Sequence, residues 1–283
     1  MAARTGGQPL GESVERPDWV PEGVDVTVPN AARMYDYALG GYHNFAVDRE
    51  YVERLERIMP GSMLAGHSSR AFLGRAVRWL ADAGITQFLD IGSGIPTLGN
   101  VHEIVQASTP GARVLYVDID PVAVAHSRAI LIGEPRVDVI QADLRDTAGI
   151  LNHPTTARLL DFSEPVAVVL SAVLHFIPDT DDPAGILARL VDELVAGSYL
   201  VISHGSRIPG FEAKAEEVQE VYQRTPTPLI PRNSEQLTRL FTGLDRMEIV
   251  EPGVVPIGEW RPDPLGGEPA PWFAMIAGVA MKL

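Results

Sequence analysis

Two short apolar runs, each ending beside an acid, constrain this chain more than any other feature. The first, Phe88-Leu89-Asp90-Ile91, leads straight into Gly92-Ser93-Gly94; the second is Val114-Leu115-Tyr116-Val117-Asp118. An apolar strand, a glycine turn, a helix and a second strand ending in Asp form one half of a nucleotide-binding parallel sheet. Glycine lacks a Cβ, so the backbone turns sharply and a ligand can approach it closely. The following helix would aim its N-terminal N–H groups at the same place. A carboxylate ending the next strand can accept both hydroxyls of a ribose. The pattern predicts an adenosine-containing cofactor and leaves its identity open.

Details of the turn narrow the choice. A nicotinamide dinucleotide favours G-x-G-x-x-G, but the third-glycine position holds Thr97, and Pro96 alters the loop. Asp90 would also lie near a pyrophosphate, which is repulsive. It suits a cationic ligand without phosphate, such as S-adenosylmethionine with its ammonium and sulfonium. On this reading Gly92→Val blocks the site while the protein stays folded.

Alternation extends the pattern over the rest of the chain. Strands are expected at 87–91, 113–117, 137–141, 166–171 and 198–203, with helices near 98–107, 121–131 and 182–195. Strands and helices in turn give a parallel sheet with helices on both faces. Val166-Ala167-Val168-Val169-Leu170 is apolar throughout, as a strand covered on both sides should be. Two closing strands, 247–250 and 273–282, have no helix between them and predict an antiparallel hairpin at the sheet edge. The expected fold is α/β and Rossmann-like, with seven strands and a helical N-terminal lid. Residues 1–28 read as an extended or poorly ordered arm, 29–84 as the lid and 85–283 as the cofactor-binding domain. The lid helices run from an Asn30 cap to Leu39, from Asp48 to Met59 and from Ser69 to Ala83. A helical insertion is expected at about 205–241.

Composition limits the partners. Lys and Arg total 23 against 37 Asp and Glu, a net charge of -14. That argues against nucleic acid or an anionic membrane, both of which need basic patches. With 0 cysteines, disulfides, thiolate zinc sites and cysteine nucleophiles are excluded. The N-terminus has no apolar signal-peptide core, and the expected location is the cytoplasm. The histidines at 43, 67, 102, 126, 153, 175 and 204 show no metal-ligand spacing, so no metal is expected. His175 follows the fourth strand closely. It is the candidate general base, weighed against an ordinary packed loop histidine.

Asp90-Ile91-Gly92-Ser93-Gly94, Val117-Asp118-Ile119-Asp120-Pro121 and Gln141-Ala142-Asp143-Leu144 resemble successive motifs of class I S-adenosylmethionine-dependent methyltransferases. The segment from Ala32 to Arg49, with Tyr35, Tyr37, Gly40, Gly41 and Asn44, resembles the signature of a bacterial family named S-adenosyl methyltransferases. The resemblance implies S-adenosylmethionine as cofactor and S-adenosylhomocysteine as product, with a small-molecule acceptor that it does not identify. It implies that Gly92, Ser93 and Gly94 pass under the methionine part and that Asp90 faces its ammonium. Asp118 would hold the ribose, Ile119 the adenine face, and Asp143 with Leu144 the adenine amino edge. Ser171 would stand near the transferred methyl, and Tyr35, Asn44 and Arg70 would reach in from the lid. A non-catalytic sensor of the cofactor and an NAD-dependent oxidoreductase are the competing readings.

Overall fold

A computed structural model describes residues 20–96, 99–207, 212–223, 225, 227–263 and 275–283. The expected arm before residue 20, Thr97 with the helix start at Leu98, and the strand start at Phe273 lie outside the described residues.

The strands are β1 (Gln87–Ile91), β2 (Arg113–Asp118), β3 (Val137–Gln141), β4 (Ala167–Ser171), β5 (Tyr199–Gly205), β6 (Met247–Ile249), β7 (Val255–Pro256) and β8 (Met275–Lys282). Their order is β3-β2-β1-β4-β5-β8-β6, with β7 pairing β8 outside that path. The first five are parallel, and β8 runs antiparallel between β5 and β6. The closing pair is therefore antiparallel, as the sequence predicts. Among the described residues that path has the expected seven strands, and β7 adds an eighth beside β8. Two-residue β7 lies in a segment dense in Pro and Gly, too short to show any alternation.

The helices are α1 (Ala31–Ala38), α2 (Ala46–Ile58), α3 (Leu64–Asp82), α4 (Val101–Ser108), α5 (Pro121–Ile130), α6 (Thr147–Leu151), α7 (Pro154–Leu159), α8 (Pro183–Asp192), α9 (Glu212–Tyr222) and α10 (Ser234–Thr242). Successive residues of a strand face opposite sides of the sheet. Leu89, Val168 and Leu200 therefore pack with Ile186, Leu187 and Leu190 of α8 on one face. Phe88, Val169 and Val201 meet Phe72, Val77 and Leu80 of α3 on the other.

That contact revises the lid. α3 starts at Leu64, earlier than the expected Ser69, and covers the sheet. Of the expected lid, α1 and α2 pack instead with α9 from the late helical segment. Met34, Val52, Leu55 and Val221 form their shared apolar cluster. Residues 20–28 form turns; Val20 is buried and Val24 packs with Ile95 and Val122.

The tyrosine- and glycine-rich signature holds the α1–α2 corner together. Asn30 caps α1 by accepting from the Ala32 N–H. Asp48 accepts from the Asn30 N–H at 2.9 Å, the Phe45 N–H at 2.8 Å and Arg33 Nε at 3.0 Å. Asp36 accepts from the His43 N–H and the Asn44 amide. A Cβ on Gly41 would collide with that carboxylate. Among the described residues no helix is long and apolar enough to cross a membrane.

Asp48 is fully buried and Arg33 nearly so. Removing the carboxylate strands a buried guanidinium and two N–H donors. Asp48→Ala should lower unfolding free energy by about 3–5 kcal/mol, read from urea titration. An unchanged midpoint would show that the corner stands without it.

Candidate functional site

A parallel sheet covered on both faces offers a ligand one place, beyond the carboxyl ends of its strands where the order reverses. Here that point lies between β1 and β4. A cavity of about 410 Å³ opens there, roofed by α1, α2 and α9.

The turn after β1 is built by its glycines and by β2. Gly92 has φ 73° and Gly94 φ 69°, in the left-handed region. The Gly92 N–H donates to the Val117 carbonyl at 2.7 Å. The Gly94 N–H donates to the Asp118 carboxylate at 2.7 Å, and the Asp120 N–H to the same carboxylate at 2.8 Å. The two glycines differ in their surroundings. A Cβ on Gly92 would collide with the Val173 side chain, whereas one on Gly94 would meet nothing within 4 Å. Gly92 is thus required by packing, and Gly94 is the turn position that faces open space.

Both strand-end acids are buried, and burial moves them. Desolvation pushes Asp90 up to about 7; the Arg70 charge opposes the shift and Asp118 adds to it. Desolvation raises Asp118 to about 6 against the N–H groups of Asp120 and Gly94. Among the described residues the Asp90 carboxylate has no hydrogen-bond donor. Two other buried polar atoms on the cavity wall, Arg70 Nε and Ser93 Oγ, have no partner there either. Buried polar groups left unpaired in this way are costly unless a ligand completes them.

Of the residues that the sequence singles out, Tyr35, Arg70, Asp90, Gly92, Ser93, Gly94, Asp118, Ile119, Asp143, Leu144, Ser171 and His175 all line the cavity. Tyr35 donates its hydroxyl to the Gly66 carbonyl at 3.0 Å, and the Arg70 guanidinium lies over its ring at 5.7 Å. Burial would raise Asp143, but hydrogen bonds from Arg145 hold it below the usual carboxylate range.

Two expectations are corrected. Asn44 does not line the cavity; its amide donates to Asp36 at 2.8 Å and to the Gly41 carbonyl at 3.0 Å. Its work is to close the α1–α2 corner. The hydrogen bonds around His175 speak against a base. Its Nδ1 accepts the Gly205 N–H at 3.0 Å, so the ring proton sits on Nε2 and no basic nitrogen is free. Burial, then the neighbouring His204 and Arg232, push its pKa well below 6.5, which keeps the ring neutral.

Several cavity residues carry no motif. Ser69, Ser171 and Ser203 form a triangle of hydroxyls, each pair 3.2 Å apart. It ties α3 to the ends of β4 and β5. Ser203 Oγ also accepts from the N–H of Ala172, which has φ 57°. Ser171 is already among the residues that the sequence singles out; Ser69 and Ser203 are not, and the place of Ser203 late in an apolar strand is the signal that could have marked it. Val218 and Tyr222 of α9 reach the cavity through helix packing that no local pattern encodes.

A sheet of this order, with an antiparallel strand beside β5 and acids at the ends of β1 and β2, is the class I methyltransferase fold. An O-methyltransferase family protein from Burkholderia thailandensis shares it at 12% identity, over 88% of this chain and 71% of that one, with a TM-score of 0.52. The chain belongs to the S-adenosyl methyltransferase family, whose model matches residues 17–283. The cofactor is S-adenosylmethionine. Two solved structures are similar almost end to end. A methyltransferase-like protein from Thermobifida fusca YX is 38% identical over 94% of this chain and 99% of its own, with a TM-score of 0.85. A DUF574 family protein from Streptomyces avermitilis MA-4680 is 37% identical over 92% and 99%, also with a TM-score of 0.85. Among curated proteins, none matches.

The glycine geometry replaces the expectation for Gly92→Val with a sharper one. Gly92→Ala should destabilise the fold by about 1–3 kcal/mol through the Val173 collision, on top of the strain at positive φ. Gly94→Ala carries only the left-handed strain, about 1–2 kcal/mol. Urea unfolding of both variants separates them, and a smaller loss for Gly92→Ala would refute the packing account.

Proposed function

We propose that this protein transfers a methyl group from S-adenosylmethionine to a small-molecule acceptor enclosed between the sheet and the lid. One observation carries the proposal. A single cavity joins the acidic strand ends to an apolar chamber walled by Met34, Leu55, Met63, Val218 and Phe176. The first part suits a cationic, phosphate-free cofactor, and the second suits a compact apolar partner.

The bound cofactor supplies an electrophilic methyl on a sulfonium, displaced directly by the acceptor. The chain's own residues then bind, orient and exclude water. Asp90, buried and without a donor, would meet the cofactor's ammonium. Asp118, already fixed by the Gly94 and Asp120 N–H groups, would accept the ribose hydroxyls. Ile119, Asp143 and Leu144 would border the adenine, and Gly94 leaves room for close approach. Arg70 would pair with the carboxylate of the methionine part. Ser171 and the lid would hold the acceptor in line, and alignment supplies most of the rate. Lid closure over the pair would keep water out.

Calorimetry should give heat with S-adenosylmethionine and S-adenosylhomocysteine and none with NAD. Radiolabelled cofactor with a metabolite extract should yield a labelled small product; label that stays on the cofactor would indicate binding without transfer. No heat with either methionine derivative would sink the proposal.

The acids add a pH dependence. An apo carboxyl with a raised pKa is neutral below that value; the ionised form of Asp90 attracts the ammonium, and the ionised form of Asp118 accepts both ribose hydroxyls. Affinity for S-adenosylmethionine should therefore rise as pH climbs through about 6 to about 7. Asp90→Asn should weaken binding by about 1.5–3 kcal/mol at pH 8 and flatten the upper part of the rise. An unchanged titration in the variant would remove Asp90 from the cofactor's cation.

A further inference from the structure

We infer that the Gly205 N–H, by donating to Nδ1, makes His175 a fixed Nε2–H donor on the cavity wall. That donor selects an uncharged methyl acceptor presenting a carbonyl, ether or ring-nitrogen lone pair. The inference rests on the methyltransferase reading and extends it to the acceptor.

The partners of two buried imidazoles fix their tautomers. Arg232 Nη1 donates to His204 Nε2 at 3.1 Å, which places the His204 proton on Nδ1. That proton is donated to the Gly205 carbonyl at 2.6 Å. The Gly205 N–H donates to His175 Nδ1 at 3.0 Å, which places the last proton on Nε2. Among the described residues Nε2 has no partner, and His175 lines the cavity. The N–H that fixes His175 belongs to the His204–Gly205 peptide, and the His204 ring between Arg232 and the Gly205 carbonyl holds that segment in place. The arrangement is also rigid. Arg232 is buried and further held by the carbonyls of Leu174 and Ile177 and by Asp179. Burial lowers both imidazoles, His204 to about 4, so neither picks up a second proton near neutral pH.

The position is as telling as the tautomer. His175 lies in a 3-10 turn, Leu174–Phe176, that follows directly on Val173, the residue packed over Gly92. The cavity's ionised side chains, Arg70, Asp90, Asp118, Asp120, Asp143 and Arg145, belong to α3 and to the ends of β1, β2 and β3. The Phe176 ring lies 4.4 Å from His175 and 5.9 Å from Tyr222, and the lining residues Ile177, Pro178 and Leu229 are likewise without charge near neutral pH. The Tyr222 phenol is pushed up to about 12 by burial. A charged acceptor would be desolvated there, and the nearby guanidinium of Arg232 is already taken by Asp179 and two carbonyls. A neutral one with a lone pair gains the only kind of bond that His175 offers.

The test uses three naphthalenes of one shape, followed by their fluorescence on protein saturated with S-adenosylhomocysteine. They are 2-acetonaphthone with a carbonyl, 2-ethylnaphthalene without one, and the anion 2-naphthoate. The carbonyl probe should bind about 3- to 10-fold more tightly than the hydrocarbon, and the anion most weakly. In His175→Asn the side-chain amide can still accept the Gly205 N–H but no donor reaches the Nε2 position. The carbonyl preference should disappear, while affinity for S-adenosylhomocysteine and thermal midpoint hold. His175→Gln, whose amide nitrogen reaches further, should restore part of the preference. A preference that survives in His175→Asn, or tightest binding of 2-naphthoate, would overturn the inference alone. A loss of S-adenosylhomocysteine affinity in His175→Asn with the probe preference intact would assign His175 to the cofactor and overturn it too. Failure of S-adenosylhomocysteine to bind the unmodified protein would overturn the methyltransferase reading and this inference together.

Discussion

Burial of a parallel sheet on both faces is the constraint from which the rest of this structure follows. Every central strand must be apolar, every crossover must carry a helix, and polar chemistry is pushed to the strand ends. Asp90 and Asp118 sit where the constraint leaves room for them, at the carboxyl ends of β1 and β2. The Gly94 N–H bond to Asp118 then couples the turn after β1 to the end of β2. Any change in one strand end is felt at the other.

The same burial makes the site electrostatically expectant. Two acids, a buried Ser93 hydroxyl and an unpaired Arg70 Nε face one cavity. A fold that carried these groups for packing alone would have paired them, as Asp48 is paired with Arg33 and two N–H donors. Asp48 is fully satisfied, whereas among the described residues Asp90 has no donor, as an acid kept for a ligand would be. A similar contrast runs through the histidines. His204 has both ring nitrogens engaged, whereas among the described residues His175 has a partner on one nitrogen alone.

The strands and the glycine turn were legible because their signals are local. An apolar run covered on both faces, a Pro at the first turn of α5 and an Asn before α1 each state their structure within a few residues. The start of α3 was not, because Gly66 and Ser68 weaken the helical pattern; packing against α1, including Tyr35 on the Gly66 carbonyl, holds that turn. β7 was hidden because two residues have no period. Asn44 stood in a recognisable signature, but a signature does not say whether its residues touch a ligand or hold a corner.

By itself the sequence determined the alternating fold, the two acids at the strand ends, the glycine turn and the cofactor class, since each depends on residue type and short-range spacing. Only the tertiary structure decided what those residues face. It brought α9 over α1 and α2, placed Val173 against Gly92, and set Gly205 beside His175 so that the imidazole proton lies on Nε2. Tautomer, burial and lid are properties of neighbours distant in the chain, and long-range packing alone brings those neighbours together.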